Sequence, residues 1–321
     1  MFRTVLTPRS SLHKISHSDR LLTLGSCFSE MIGRKLADNK FSVLSNPVGI
    51  LYNPVSQHRL LRFALDMEEI PDLTTGVHGR YLHFDAHSRI NGSSPADVIK
   101  SLSSEIEGIK NYLPNATWLI LTYGTSRVYM RDDRVVANCH KQPGQTFTKR
   151  MLTLNEMIAD AQPVIEHLFS AYPRLRIILT VSPVRHVRDT LEVNSISKSL
   201  LRIFCDEMVK QFDRIDYFPS FELMMDDLRD YRFYGQDMIH PSTTAENYIF
   251  EKFSETYFGE KTMNILREWD KLRTALSHKP FNPKSQDHKK FLSATRMSLV
   301  KLSDRLDVQA EIEKIDKQLN Q

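Results

Sequence analysis

Asp237 and His240 stand three residues apart in Gly235-Gln236-Asp237-Met238-Ile239-His240-Pro241-Ser242. At that spacing a carboxylate can hydrogen-bond one imidazole nitrogen and leave the other free to take a proton. Such a pair is the base half of a hydrolytic triad and lacks only a nucleophile, because a hydroxyl attacks an ester when a neighbouring base removes its proton. Ser26, far upstream, is the candidate. Its competing reading is a helix cap in a tight turn, and that of His240 is a structural histidine.

Ser26 is singled out by a change of pattern. The apolar run Leu21-Leu22-Thr23-Leu24 gives way after Gly25-Ser26 to apolar residues at Phe28, Met31, Ile32 and Leu36, so a strand turns into a helix there. In an open parallel sheet such switches lie at the carboxyl edge, where ligands bind beside unpaired N–H groups at helix starts. Lys40–Leu44 alternates like a second strand and runs into Asn46-Pro47-Val48-Gly49. Trp118–Leu121 reads as a buried strand ending in Tyr123-Gly124-Thr125-Ser126, with Arg176–Val181 and Ile215–Phe218 as further strands.

Helices are expected between them. Asn53-Pro54 and Ser94-Pro95 read as helix starts, Thr153 with Glu156 as a capping box, and Thr243 with Glu246 as a second box after His240. Leu200, Phe204, Met208 and Phe212 mark another crossover helix. Strand and helix alternating this often predict an α/β fold with a parallel sheet covered on both faces. The first twenty residues, with only Phe2, Val5 and Leu6 as pattern, are expected to form an extended arm. From about Asp287 the chain reads as one helix in which Leu299, Leu302, Leu306, Val308, Ile312, Ile315 and Leu319 follow 3-4 spacing with one slip in register.

Several separated blocks resemble the GSCFA family, which looks like a branch of the SGNH or GDSL-like hydrolases. They are Gly25-Ser26-Cys27-Phe28-Ser29, with Ser29 where the family has alanine, Asn46–Pro54, Thr122–Thr125, Asn138–Lys141, Val181–His186, Tyr217–Pro219, Leu228–Tyr234 and Asp237–Pro241. The resemblance implies a three-layer α/β/α, flavodoxin-like sheet over residues 1–260 with a helical extension over 261–321. It implies a serine-dependent ester hydrolase with Ser26, Asp237 and His240 as the triad. The substrate it suggests is an O-acetyl or other short acyl group on a carbohydrate or small molecule, with no cofactor. Acyl transfer to another alcohol by the same triad, or a non-catalytic scaffold on this fold, are the alternatives.

By the same resemblance the oxyanion donors are the backbone N–H groups of Ser26 and Gly49 and an asparagine side chain. The sequence departs from the pattern where that asparagine should follow the third strand, so Asn138, or more weakly Ser126 or Thr125, is left to supply it. Asn138 reads equally well as a turn residue. Cys27, at the start of a helix, offers an alternative nucleophile but more often such a cysteine is a small buried hydrophobe. His87 resembles a recurring family histidine lining the substrate pocket. Thr125, Arg185 and His186 lie at the same edge as further substrate contacts, against the commoner fate of an arginine paired with an acid. His78, His83, His87 and His140 match no usual zinc spacing, so no metal is expected. Asp226, Asp227, Arg229, Asp230 and Arg232 read as a salt-bridged segment holding the Asp237–His240 loop.

Composition narrows the classes. A formal charge of +4 over 321 residues, with acids scattered among the bases, argues against nucleic acid as a partner even at a pI near 8.8. Three cysteines, an odd number without paired spacing, suggest reduced thiols rather than a disulfide framework. No run of about 18 apolar residues is present, and the N-terminal stretch lacks a secretory core, so the expected location is cytoplasmic. Beyond the substrate, the expected partner is a second copy or another helix through the C-terminal leucine pattern.

Overall fold

The apolar run that opens the sheet, Arg20–Gly25 (β1), alternates between two cores: Leu22 and Leu24 enter one and Leu21 the other. The computed structural model describes residues 4–283 and 285–320; Phe2 of the expected arm lies outside them. After β1, Ser26 caps Cys27–Asp38 (α1), and Ser42–Ser45 (β2) pairs parallel with β1. Asn53 caps Pro54–Ala64 (α2) by accepting from Ser56 N–H at 2.8 Å. A small antiparallel sheet follows, Thr74–Val77 (β3), Arg80–His83 (β4) and Asn91–Gly92 (β5), and then Pro95–Tyr112 (α3), capped by Ser94.

Trp118–Tyr123 (β6) is buried throughout and pairs parallel with β1. Beyond it Arg127–Arg131 (β7), Arg134–Val136 (β8) and Thr148–Met151 (β9) form a second small antiparallel sheet. The capping box of Thr153 and Glu156 starts Leu154–Ala171 (α4) as the spacing predicts. Arg176–Val181 (β10), Leu191–Gln211 (α5) and Ile215–Phe218 (β11) complete the sheet, followed by the short turn Ser220–Glu222 (α6).

The five long strands lie in the order β2-β1-β6-β10-β11, all parallel. Numbered within the sheet this is the doubly wound, flavodoxin-like order, whose switch point falls between β1 and β6. Helices α2, α3, α4 and α5 cover one face. The opposite face is covered by α1 and by Thr243–Tyr257 (α7). The chain is therefore a three-layer α/β/α protein, because each buried strand needs apolar cover on both sides.

Three local expectations are corrected. The cap of α7 is Ser242, whose Oγ accepts from Ala245 N–H at 3.4 Å, while Glu246 pairs with Arg34 at 3.1 Å instead of closing a box. The second strand starts at Ser42, two residues later than Lys40. The C-terminal leucine stretch is two helices, Gln286–Leu302 (α9) and Gln309–Leu319 (α10), following Glu260–Ser277 (α8). The register slip marks the break between α9 and α10: folding α10 back lets Leu299, Leu302, Ile312 and Ile315 bury one another around Trp269. These side chains are thus covered within the chain. The arm is held down by a bridge of Ile15 to Phe258, and Ile15 is fully buried. Among the described residues no helix is long and apolar enough to cross a membrane.

Candidate active site

The β1–α1 turn is built on a backbone conformation that favours glycine. Gly25 has φ +142°, and a Cβ there would collide with the Thr122 carbonyl, so β1 and β6 approach closely at the switch point. Gly25 N–H donates to Asn46 Oδ1 at 2.9 Å, and Ser26 N–H donates to Thr122 O at 3.2 Å. Ser26 is 1% exposed, and its Oγ accepts from Phe28 N–H at 3.3 Å, the N-cap bond of α1. The next residue, Cys27, is only partly buried, and its Sγ lies 3.9 Å from Tyr52 Oη. Burial pushes the Cys27 thiol above its usual range, and the Tyr52 hydrogen bond opposes that rise.

Asp237 and His240 occupy a tight loop clamped by Gly235 N–H donating to His240 O at 2.7 Å, with Met238 at φ 57°. One carboxylate oxygen accepts from Ile239 N–H at 2.9 Å and His240 N–H at 3.0 Å. The other lies 2.6 Å from His240 Nδ1. The His240 backbone N–H, then its ring, then the Ile239 N–H hold the Asp237 carboxyl well below the ordinary carboxylate range. Both side chains are exposed on the rim. Arg185 N–H donates to Ile239 O at 3.3 Å, tying this loop to the segment after β10. Among the described residues no hydrogen bond joins Ser26 to His240.

The remaining candidates fall into two groups. Gly49, at φ +84°, lies against the His87 side chain, which leaves no room for a Cβ, and its N–H donates to Asn46 O at 2.8 Å. Burial, aided by Arg89, lowers the His87 pKa. His186 lies edge-on to Tyr52 at 5.3 Å between ring centroids, its Nε2 buried without a hydrogen-bond partner among the described residues. Burial, with Lys198 and His240 nearby, pushes its pKa down to about 3. Gly25, Ser26, Cys27, Tyr52, Gly124 and His186 therefore converge at the carboxyl edge of β1 and β6, with His87 joining them through Gly49.

Other side chains are engaged elsewhere. Ser126 is fully buried, with its N–H donating to Ser197 Oγ at 2.8 Å and its Oγ to Ser197 O at 3.2 Å on α5. Thr125 Oγ1 lies 3.0 Å from the same Ser197 Oγ. Asn138 Oδ1 accepts from His140 N–H at 2.9 Å within its own turn. Arg185 stacks on Tyr234, 4.0 Å from the ring centroid, lies 5.4 Å from that of Tyr231, and lines with both a cavity of about 290 Å³. Two of the histidines considered for a metal are bound to protein: His83 Nε2 lies 2.8 Å from Pro71 O, and His140 Nε2 lies 2.8 Å from His83 O.

Sequence reading missed two contributors. Tyr52 reaches the site as part of Asn46–Pro54 but carries no pattern of its own. Lys198 left a usable signal: it falls on the stripe of Leu201, Cys205 and Met208, where a lysine in an apolar face demands a buried partner. It is 1% exposed and donates to Gly124 O at 2.7 Å and Ser182 O at 2.6 Å, joining the loops after β6 and β10.

Two solved structures are among the several to which the chain is similar. One, from Streptococcus pneumonia and provisionally described as a platelet activating factor, is 13% identical with a TM-score of 0.40, over 74% of this chain and 83% of that one. The other, a Clostridium thermocellum family 3 carbohydrate esterase, is 10% identical with a TM-score of 0.36, over 78% of this chain and 97% of that one. No curated protein matches the chain. The family model for the C-terminal domain of GSCFA domain proteins matches residues 269–321, and that of the GSCFA family itself matches residues 20–253, so the chain belongs to the GSCFA family.

Proposed function

We propose that the protein is an acyl-ester hydrolase of the SGNH kind, using the Asp237–His240 pair as the base for a nucleophile on the β1–α1 turn. The observation that carries this reading is the 2.6 Å contact of Asp237 with His240 Nδ1, in a loop tied to the segment after β10. It leaves Nε2 to face incoming substrate. Asp237 fixes the tautomer and stabilises the imidazolium; His240 takes the nucleophile's proton and returns it to the departing alcohol. Ser26 is the hydroxyl that the family resemblance nominates for attack.

The substrate class we favour is a short acyl ester, such as an O-acetyl group on a carbohydrate or small molecule, acted on in the cytoplasm. Transfer of the acyl group to a second alcohol would use the same residues. One observation favours a second reading, a non-catalytic binding protein: the N–H groups of Ser26 and Gly49 are already bonded to Thr122 and Asn46 carbonyls.

Hydrolysis of p-nitrophenyl acetate separates the two. The native chain should turn the ester over, and His240→Gln should lower kcat/KM by about 10²-fold or more. Absence of turnover by the folded chain, or full activity in the variant, sinks the hydrolase reading.

A further inference from the structure

We infer that the attacking atom is Cys27 Sγ, and that Ser26 is the cap that fixes its position. This rests on the acyl-hydrolase reading above and names the nucleophile within that site. Ser26 Oγ is buried at 1% residue exposure and engaged by Phe28 N–H at 3.3 Å, so it reaches an ester carbon only if the first turn of α1 opens. Cys27 is the side chain of the turn left partly exposed.

The surroundings of the sulfur agree. Cys27 Sγ meets Tyr52 Oη at 3.9 Å, the Tyr52 ring meets His186 edge-on at 5.3 Å, and His186 follows Arg185, whose N–H donates at 3.3 Å to Ile239 O in the loop of His240. The sulfur thus connects through two rings to the loop that carries the base. His186 Nε2, buried beside Gly124 with no hydrogen-bond partner among the described residues, is a polar group placed for a substrate atom.

The backbone also distinguishes the two residues. Ser26 N–H is spent on Thr122 O at 3.2 Å. Cys27 N–H, at the first helical position, has no intrahelical acceptor and lies against its own sulfur. It can therefore stabilise the oxyanion formed when its own side chain attacks.

The resting group is a neutral thiol, so proton transfer accompanies attack. As the sulfur lone pair forms the S–C bond, the thiol proton passes to His240 Nε2 and the carbonyl π pair moves onto oxygen. Collapse of the adduct restores the carbonyl and breaks the ester C–O bond, and the departing alkoxide takes the proton from His240. Water then attacks the thioester, giving its proton to His240 and the acyl group its oxygen. The sulfur leaves and recovers that proton, so the enzyme returns to its starting state.

The test traps the acyl group during turnover. Native protein quenched during p-nitrophenyl acetate turnover should carry an acetyl group on the peptide holding Cys27, removable by neutral hydroxylamine as a thioester is. Cys27→Ala should lose the adduct and lower turnover by about 10²-fold or more, while Ser26→Ala, folded by circular dichroism, still forms it. Acetyl on Ser26, or turnover that survives Cys27→Ala but is lost in His240→Gln, overturns the inference and leaves the hydrolase reading standing. Turnover equal in all variants removes both. If the folded native chain turns over no ester, the hydrolase reading and the inference fall together.

Discussion

Lys198 Nζ donates to the Gly124 carbonyl oxygen at 2.7 Å from within the buried layer between α5 and the sheet. Its second hydrogen bond, to Ser182 O at 2.6 Å, means that two acceptors await a group that is 1% exposed. A neutral amine has two N–H bonds and satisfies both, whereas the third proton of an ammonium finds no further oxygen or nitrogen acceptor among the described residues and has only the Phe221 ring nearby, 5.8 Å to its centroid. Burial accordingly brings the Lys198 pKa down from 10.5 to about 7. Below that value the folded and unfolded chains both hold the proton. Between the two values the unfolded chain binds more protons, so Lys198 makes stability rise with pH, by up to about 1.4 kcal/mol per unit. Urea unfolding of native and Lys198→Met proteins across this window should show the native curve rising relative to the variant. Parallel curves would mean that the buried amine titrates normally.

The Asp237–His240 pair makes a prediction about rate without one about stability, since both groups are exposed. Replacing Asp237 with Asn keeps a hydrogen-bonding side chain but removes the charge that stabilises the imidazolium and the acceptor that fixes its tautomer. Turnover of p-nitrophenyl acetate should fall by about 10²–10⁴-fold with little change in KM. Because its hydrogen bonds hold this carboxyl well below the usual range, the native rate profile should show no inflection from it near about pH 4. An inflection there that vanishes in Asp237→Asn would show the bonds to be weak in solution.

Gly49 couples the turn after β2 to His87. At φ +84° an alanine is strained whatever the space, and here its Cβ would also collide with the His87 side chain. Gly49→Ala should therefore lower stability by more than about 1 kcal/mol in denaturant unfolding and weaken turnover as the His87 wall shifts. A variant of native stability would show that this turn moves freely.

How much of this was legible in the sequence differs by element. The strand-to-helix switch at Gly25-Ser26 could be read because apolar spacing changes there, and Thr153 with Glu156 announced α4 through capping chemistry. The Asp237–His240 contact was readable because a three-residue separation limits the geometry. What the sequence hid is which of Ser26 and Cys27 is accessible, since that depends on how the turn packs beneath Thr122 and beside Tyr52. The engagement of Ser126 by Ser197 across a helix interface was equally hidden, whereas the turn that Asn138 Oδ1 closes was one of the two readings its sequence offered. The break between α9 and α10 carries no glycine or proline, so only the slip in the leucine register hinted at it.

Trp269 links the C-terminal helices to the site from the far end of α1. It is 3% exposed, its Nε1 donates to Asp38 O at 2.8 Å, and Lys40, over its ring at 5.1 Å, pairs with Glu311 at 2.7 Å. The C-terminus of α1 is thus held by α8 and α10 while its N-terminus presents Ser26 and Cys27. Trp269→Ala removes the centre of the third core and should cost about 3–5 kcal/mol, whereas Trp269→Phe keeps most of the packing and loses a hydrogen bond, about 1 kcal/mol. Limited proteolysis supplies the local readout: cleavage between Ser277 and Ser285 should accelerate in the alanine variant before the sheet domain unfolds. Equal cleavage rates in all three proteins would show that the C-terminal helices do not depend on this anchor.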